Sequence, residues 1–154
     1  MSFILDRLLQ AGITTTVAMV VIWILRKYWG SYLAQADELR VATEQFFPSG
    51  LQPRLEGDQR RIQVEVRANA FYKSYDACRK AIYKNRPFFP GDLDQVLFKI
   101  LQKAQQVHAH FSNGINTETG EIPFRVFENA RPELGSFCEL VDDASLRIKE
   151  HINV

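Results

Sequence analysis

Apolar positions in this chain form one continuous run followed by three periodic stripes. The run comes first: residues 8–25, LLQAGITTTVAMVVIWIL, hold 18 successive side chains without a formal charge. At about 1.5 Å of rise per residue it measures roughly 27 Å, close to the roughly 30 Å hydrocarbon layer of a bilayer. This predicts one N-terminal transmembrane helix over about 8–25. Thr14, Thr15 and Thr16 can return their hydroxyls to carbonyls one turn back. Trp23, Tyr28, Trp29 and Tyr32 gather at the far end, as rings that favour a headgroup layer do.

Beyond the run the period changes to that of amphipathic helices. Within 59–86, Val64, Ala68, Phe71, Tyr75, Cys78 and Ile82 alternate spacings of four and three. Leu93, Leu97, Ile100, Ala104, Val107 and Phe111 do the same within 91–113. From Pro132, which suits a first helical position, Leu134, Phe137, Val141, Ala144 and Ile148 repeat it. Pro87, Pro90 and Gly91 separate the first two stripes, and Asn113 and Gly114 end the second. A turn-rich loop containing Pro123 is expected over 115–131, with one short helical or extended piece. A shorter helix over 34–47 continues from the membrane, stops at Pro48 and gives way to a loop over 49–58. The fold class is therefore all-α: a transmembrane helix, a short membrane-proximal helix, and a bundle closed by three long helices. The division is 1–33 for the anchor segment and 34–154 for a cytoplasmic helical domain.

Charge orients the anchor and excludes some partners. Arg26 and Lys27 follow the run, while Asp6 and Arg7 before it cancel, so the positive-inside rule places the chain N-out in the inner (cytoplasmic) membrane, single-pass, with its C-terminal domain in the cytoplasm. A secretory signal peptide ending at Ala34-Gln35-Ala36 fits less well, because the leading segment lacks positive charge and Arg26 and Lys27 intervene before the cleavage site. Nineteen basic against 18 acidic residues leave a net charge of +1, which argues against duplex nucleic acid as a partner. Two cysteines without a sequon agree with a reducing compartment.

The local balance is uneven. Residues 60–86 carry eight basic and two acidic side chains, or +6, whereas 104–154 carry four and eight, or −4. Arg79 and Arg86 share a helical facet with Arg61 and Tyr72, and Lys73, Lys80 and Lys84 share another. Guanidinium forks beside an aromatic face suit a phosphate-bearing ligand with bases to stack; pairing of a basic helix with an acidic one explains the same charges structurally. The segment 84–91, KNRPFFPG, leaves Lys84, Asn85 and Arg86 at a rigid corner. The candidate ligand-binding residues are thus Arg79, Lys80, Lys84, Asn85, Arg86 and His110. His108 and His110 point about 200° apart on a helix and do not chelate one metal, and Arg147 and His151 lie one residue too close for the Arg-x4-6-His pattern of helical ribonucleases. With no nucleophile elbow, Walker loop or dinucleotide turn, neither an enzyme nor a metal or cofactor is expected.

A short N-terminal membrane helix joined to a compact helical domain, with Arg79, Lys84, Asn85 and Arg86 exposed, resembles the small membrane effectors of bacterial antiphage defence. The nearest kind is the CRISPR-associated membrane protein of type III systems that senses cyclic tetra-adenylate. The resemblance implies a homo-oligomer, with a tetramer favoured, that binds a cyclic oligonucleotide at its cytoplasmic domain and perturbs the lipid bilayer through an oligomeric rearrangement. Two other readings stay open: a non-enzymatic, membrane-tethered interaction protein that docks a protein partner, and a small membrane toxin that needs no ligand.

Overall fold

Four periodic stripes, not three, close the core. In the computed structural model, residues 2–47, 57–89 and 91–152 are described, with side chains for 14–47, 57–87, 89 and 91–150. Pro48 and most of the loop expected over 49–58 lie outside them, as do Pro90 and the side chains of Phe88 and His151. The described residues form α1 (Ser2–Glu44), α2 (Gly57–Asn85), α3 (Gly91–Gly114) and α4 (Phe124–Ile152), with a single 3-10 turn, Arg86–Phe88, between α2 and α3.

Among the described residues no helix is long and apolar enough to cross a membrane. This corrects the transmembrane helix expected over 8–25, and with it the single-pass, N-out placement in the inner membrane. An uncharged window is not a uniformly apolar one: Gln10 and Thr14–Thr16 interrupt it, and its first six side chains lie outside the described residues. The uninterrupted apolar stretch at 17–25 is only nine residues before Arg26, about 14 Å against the roughly 30 Å required.

The shorter helix expected over 34–47 as a continuation of the first segment is the C-terminal part of α1, a single helix of 43 residues that ends at Glu44. Its C-terminal half and the turn that follows it carry the fourth stripe, on which Trp29, Tyr32, Ala36, Leu39, Thr43 and Phe46 are all buried. Trp29 and Tyr32, read from the sequence as headgroup anchors, are core residues at 5% and 0% exposure. Tyr32 meets Phe89 edge to face at 5.9 Å, and burial raises its phenol well above the usual range.

Side-chain contacts fix the topology. Tyr28 of α1 meets Lys84 at the end of α2, whereas Phe46 meets Phe71 near its middle, so α1 and α2 run antiparallel. Arg40 to Asp142 (3.0 Å) and Glu44 to Cys138 (3.6 Å) make α1 antiparallel to α4; Arg147 to Asp92 (3.3 Å) and Lys103 to Glu133 do the same for α3 and α4. The result is an up-down-up-down bundle in which α3 packs most extensively on α4, and α1 on both α2 and α4. Phe46, Phe47, Phe111 and Phe127 form an aromatic plug at one end, with Phe46 stacked on Phe111 at 5.0 Å.

The connection between α3 and α4 is shorter than expected, because α4 starts at Phe124 and carries Pro132 inside it. Losing one backbone N–H at Pro132 is outweighed by two added stripe positions, Val126 at 7% and Ala130 at 0% exposure. Gly114 makes this approach possible: a Cβ there would lie 2.3 Å from Cγ2 of Val126. The remaining loop is wound around Asn116. Its Oδ1 accepts from the backbone N–H groups of Glu118 (2.9 Å) and Thr119 (3.1 Å), and its carbonyl accepts from Gly120 N–H (2.7 Å).

Candidate functional site

Three features stand apart from the packed core: a projecting apolar segment of α1, a line of basic residues on α2, and a cleft where the α3–α4 loop crosses α2. The first follows from helix length. Residue 28 already lies beside the end of α2, so 14–24 extends past the bundle by about 16 Å at 1.5 Å per residue. On it Val17, Met19, Val20, Val21, Ile22 and Trp23 are each 42% to 65% exposed. At 100° per residue they point to every side of the helix.

The sequence-predicted site residues do not converge. Arg79 donates to Asp76 at 2.9 Å and Lys80 pairs with the other oxygen of the same carboxylate, whose pKa is lowered by the hydrogen bonds from Lys80 and Arg79. Arg86 donates to Asp94 at 3.2 Å and lies over the Phe98 ring at 5.3 Å, while Lys84 lies over Tyr28 at 5.9 Å. Asn85, expected at an accessible corner, is only 3% exposed, because the turn that ends α2 rolls it into the core. His110 is half-buried on α3, 19 residues beyond Gly91 and hence about 28 Å along the helix from that corner. Lys84, Asn85 and Arg86 therefore sit at one end of the bundle, Arg79 and Lys80 one to two turns back along α2, and His110 at the other end.

His108 was considered in the sequence only as half of a metal-binding pair, yet it is the more unusual histidine. It is 9% exposed, stacked on Phe71 at 4.5 Å and 12°, and met edge-on by Tyr72 at 4.8 Å and Phe46 at 5.5 Å. Ser112 Oγ lies 3.0 Å from its Nδ1, but the hydroxyl also donates to the His108 carbonyl at 3.1 Å. Burial lowers the His108 pKa. Protonation is thus easier in the unfolded chain, near pH 6.5, than in the native one. Stability is expected to be full above about pH 6.5 and to fall as pH drops below it, until the folded imidazole also titrates. Urea titrations at pH 7.5 and 5.5 measure this, and His108→Phe should remove that part of the dependence; an unchanged profile would contradict it.

Neither thiol offers a nucleophile at neutral pH. Burial pushes Cys78 up to about 12, and burial together with Glu44 pushes Cys138 up to about 11. Among the described residues, no three His, Cys, Asp or Glu side chains gather in a way that could hold a metal ion.

The third feature escaped the sequence reading. A cavity of about 460 Å³ lies between α2 and the start of α4, lined by Arg60, Gln63 and Arg67 on one side and by Phe124 and Phe127 on the other. Its floor is the α3–α4 loop, drawn tightly against α2. Gly120 has φ +67°, and a Cβ there would lie 2.9 Å from the Arg61 Cα. Burial lowers the Arg67 pKa. The spacing of Arg60, Gln63 and Arg67 on one α2 face was visible, but their partners were assigned to a loop.

No protein-family model, curated protein or solved structure matches this chain. The functional reading therefore rests on these three features.

Proposed function

We propose that this chain is a non-enzymatic assembly protein, a four-helix bundle joined to further copies of itself through the projecting segment of α1. The observation that carries this reading is the belt of six exposed apolar side chains between Val17 and Trp23. A helix that is apolar on all sides needs cover on all sides. A two-stranded pairing would leave half of each belt in water, so four copies are favoured over two. Each is already about half covered by its own helix, so burying the rest at about 0.8–1.5 kcal/mol apiece is worth roughly 5–9 kcal/mol per chain, within the range of association costs of about 4–15 kcal/mol.

The non-enzymatic part rests on chemistry. The Ser112–His108 pair resembles a nucleophile and base, but His108 faces three rings, no carboxylate among the described residues orients it, and Ser112 is turned back to the His108 carbonyl. Both cysteine thiols are held protonated.

Sedimentation of the full chain tests the assembly. It should run as a tetramer, and Val20→Asp combined with Trp23→Asp should disperse it to monomers with unchanged helical content. A monomeric wild type, or a tetramer that survives both substitutions, overturns the reading.

A further inference from the structure

Where α1 and α2 lie side by side, their outer faces leave a groove with a hollow of about 390 Å³. Its walls are small, with Ala34 and Ala42 from α1 and Ala70 and Ser74 from α2, so another helix can come close to both backbones. Val41 stands in it 51% exposed, on a stretch of α1 whose opposite face is core. On α2, Ile62 and Val66 continue the wall from Ala70 at spacings of four and are 56% and 60% exposed. From Ala34 to Gln45 the groove runs about 16 Å along α1, the same length by which 14–24 projects beyond the bundle.

The face of α1 that lines this groove also runs down the projecting segment. Val20, Lys27, Ala34 and Val41 repeat every seven residues, and so do Ile24, Ser31, Glu38 and Gln45, which makes them the a and d positions of one heptad seam. None of the eight is buried. The charges in the seam set the direction of its partner. A parallel copy places Lys27 against Lys27 and Glu38 against Glu38. An antiparallel copy, packing a against d, places Lys27 against Glu38 and Ile24 against Val41, with Ser31 against Ala34 at the centre and Val20 against Gln45 at the ends. Opposite charges then meet twice in each pair of copies, where the parallel arrangement has only like charges. Glu38 is exposed and has no ion-pair partner among the described residues, whereas its neighbour Asp37 pairs with Arg40 at 3.6 Å. Lys27 lies over the Trp23 ring at 5.5 Å, and a ring without net charge leaves that of the ammonium unneutralised.

On the footing that copies assemble through the projecting segment, we infer that this groove is the surface that receives it: a second copy of the chain docks with its α1 antiparallel, so that the segment of each is held between α1 and α2 of the other. The arrangement is two-fold and closes on itself. The outer side of each apolar belt is left for a second such pair, in keeping with four copies.

Disulfide capture in the full chain tests it, in a Cys138→Ser background, since Cys78 is fully buried. Ile24→Cys combined with Val41→Cys should oxidise to a covalent dimer under copper phenanthroline. Neither substitution alone should do so, because antiparallel copies hold like positions about 25 Å apart along the seam. Glu38→Lys should weaken assembly about 5- to 30-fold in sedimentation, and adding Lys27→Glu should restore it. If the double cysteine variant does not assemble, Val20→Cys with Gln45→Cys, the next layer, carries the test. An assembled protein in which Val20→Cys alone cross-links to itself is parallel; that overturns the inference and leaves assembly through α1 standing. The same holds for an assembled protein that neither cysteine pair cross-links, or in which Lys27→Glu fails to rescue Glu38→Lys. A monomeric wild type overturns both.

Discussion

A chain beginning at residue 34 should fail to hold the bundle, whereas one beginning at residue 26 should keep it. The difference is the stretch 26–33, which carries Trp29 and Tyr32 into the core at 5% and 0% exposure and lays Tyr28 and Leu33 against its edge. Loss of a buried aromatic side chain costs about 3–5 kcal/mol, so losing two removes roughly 6–10 kcal/mol. Total stability for a domain of this size is only about 5–15 kcal/mol. Within a single bundle the segment before residue 26 adds little, because its described side chains, Leu25 and residue 24 apart, are exposed there. Circular dichroism during urea titration of the two fragments measures the difference. Equal midpoints would show that α1 is not part of the folding unit.

Replacing Phe111 by alanine should destabilise the full chain by about 3–5 kcal/mol. This ring is 1% exposed and is where α3, α4 and the turn after α1 meet: Phe46 stacks on it at 5.0 Å, Phe47 meets it edge-on at 5.1 Å, and Phe127 tilts against it at 5.6 Å. Cavity and transfer costs add at such a site, because neighbours on different helices cannot all collapse into one void. Phe111→Leu should cost less, as most of the volume is kept. By contrast Arg79→Ala, on the exposed face of α2, should change stability by only about 0.5 kcal/mol. Urea midpoints at a common slope rank the three variants. A Phe111→Ala protein as stable as Arg79→Ala would contradict the aromatic plug.

The stripes on α2 and α3 and the C-terminal part of α4 were legible because burial at a period of 3.6 needs no knowledge of the partner. Leu93, Leu97, Ile100, Ala104, Val107 and Phe111 are every one buried. A stripe, however, does not say what covers it. Trp29, Tyr32, Ala36, Leu39 and Phe46 hold the same spacing, but the uncharged run just ahead of them drew the two aromatic residues into a reading as headgroup anchors. Only contact with Phe89, Phe71 and Phe111 places this half of α1 in the core.

The functional residues divide along the same line. Charge counting found the basic character of α2, which is a property of composition. Which of those cations line a cleft depends on what stands opposite. Asp76 is four residues or fewer from Arg79 and Lys80, so their pairing is local and could have been read from the sequence. Phe124 comes to face Arg60 and Arg67 only because α4 begins eight residues before Pro132, an extension driven by burial of Val126 against Gly114. The sequence by itself determined the buried stripes of α2, α3 and the C-terminal part of α4. The tertiary structure decided which polar faces meet, because those meetings join residues about 60 positions apart and depend on the packing of the apolar faces behind them.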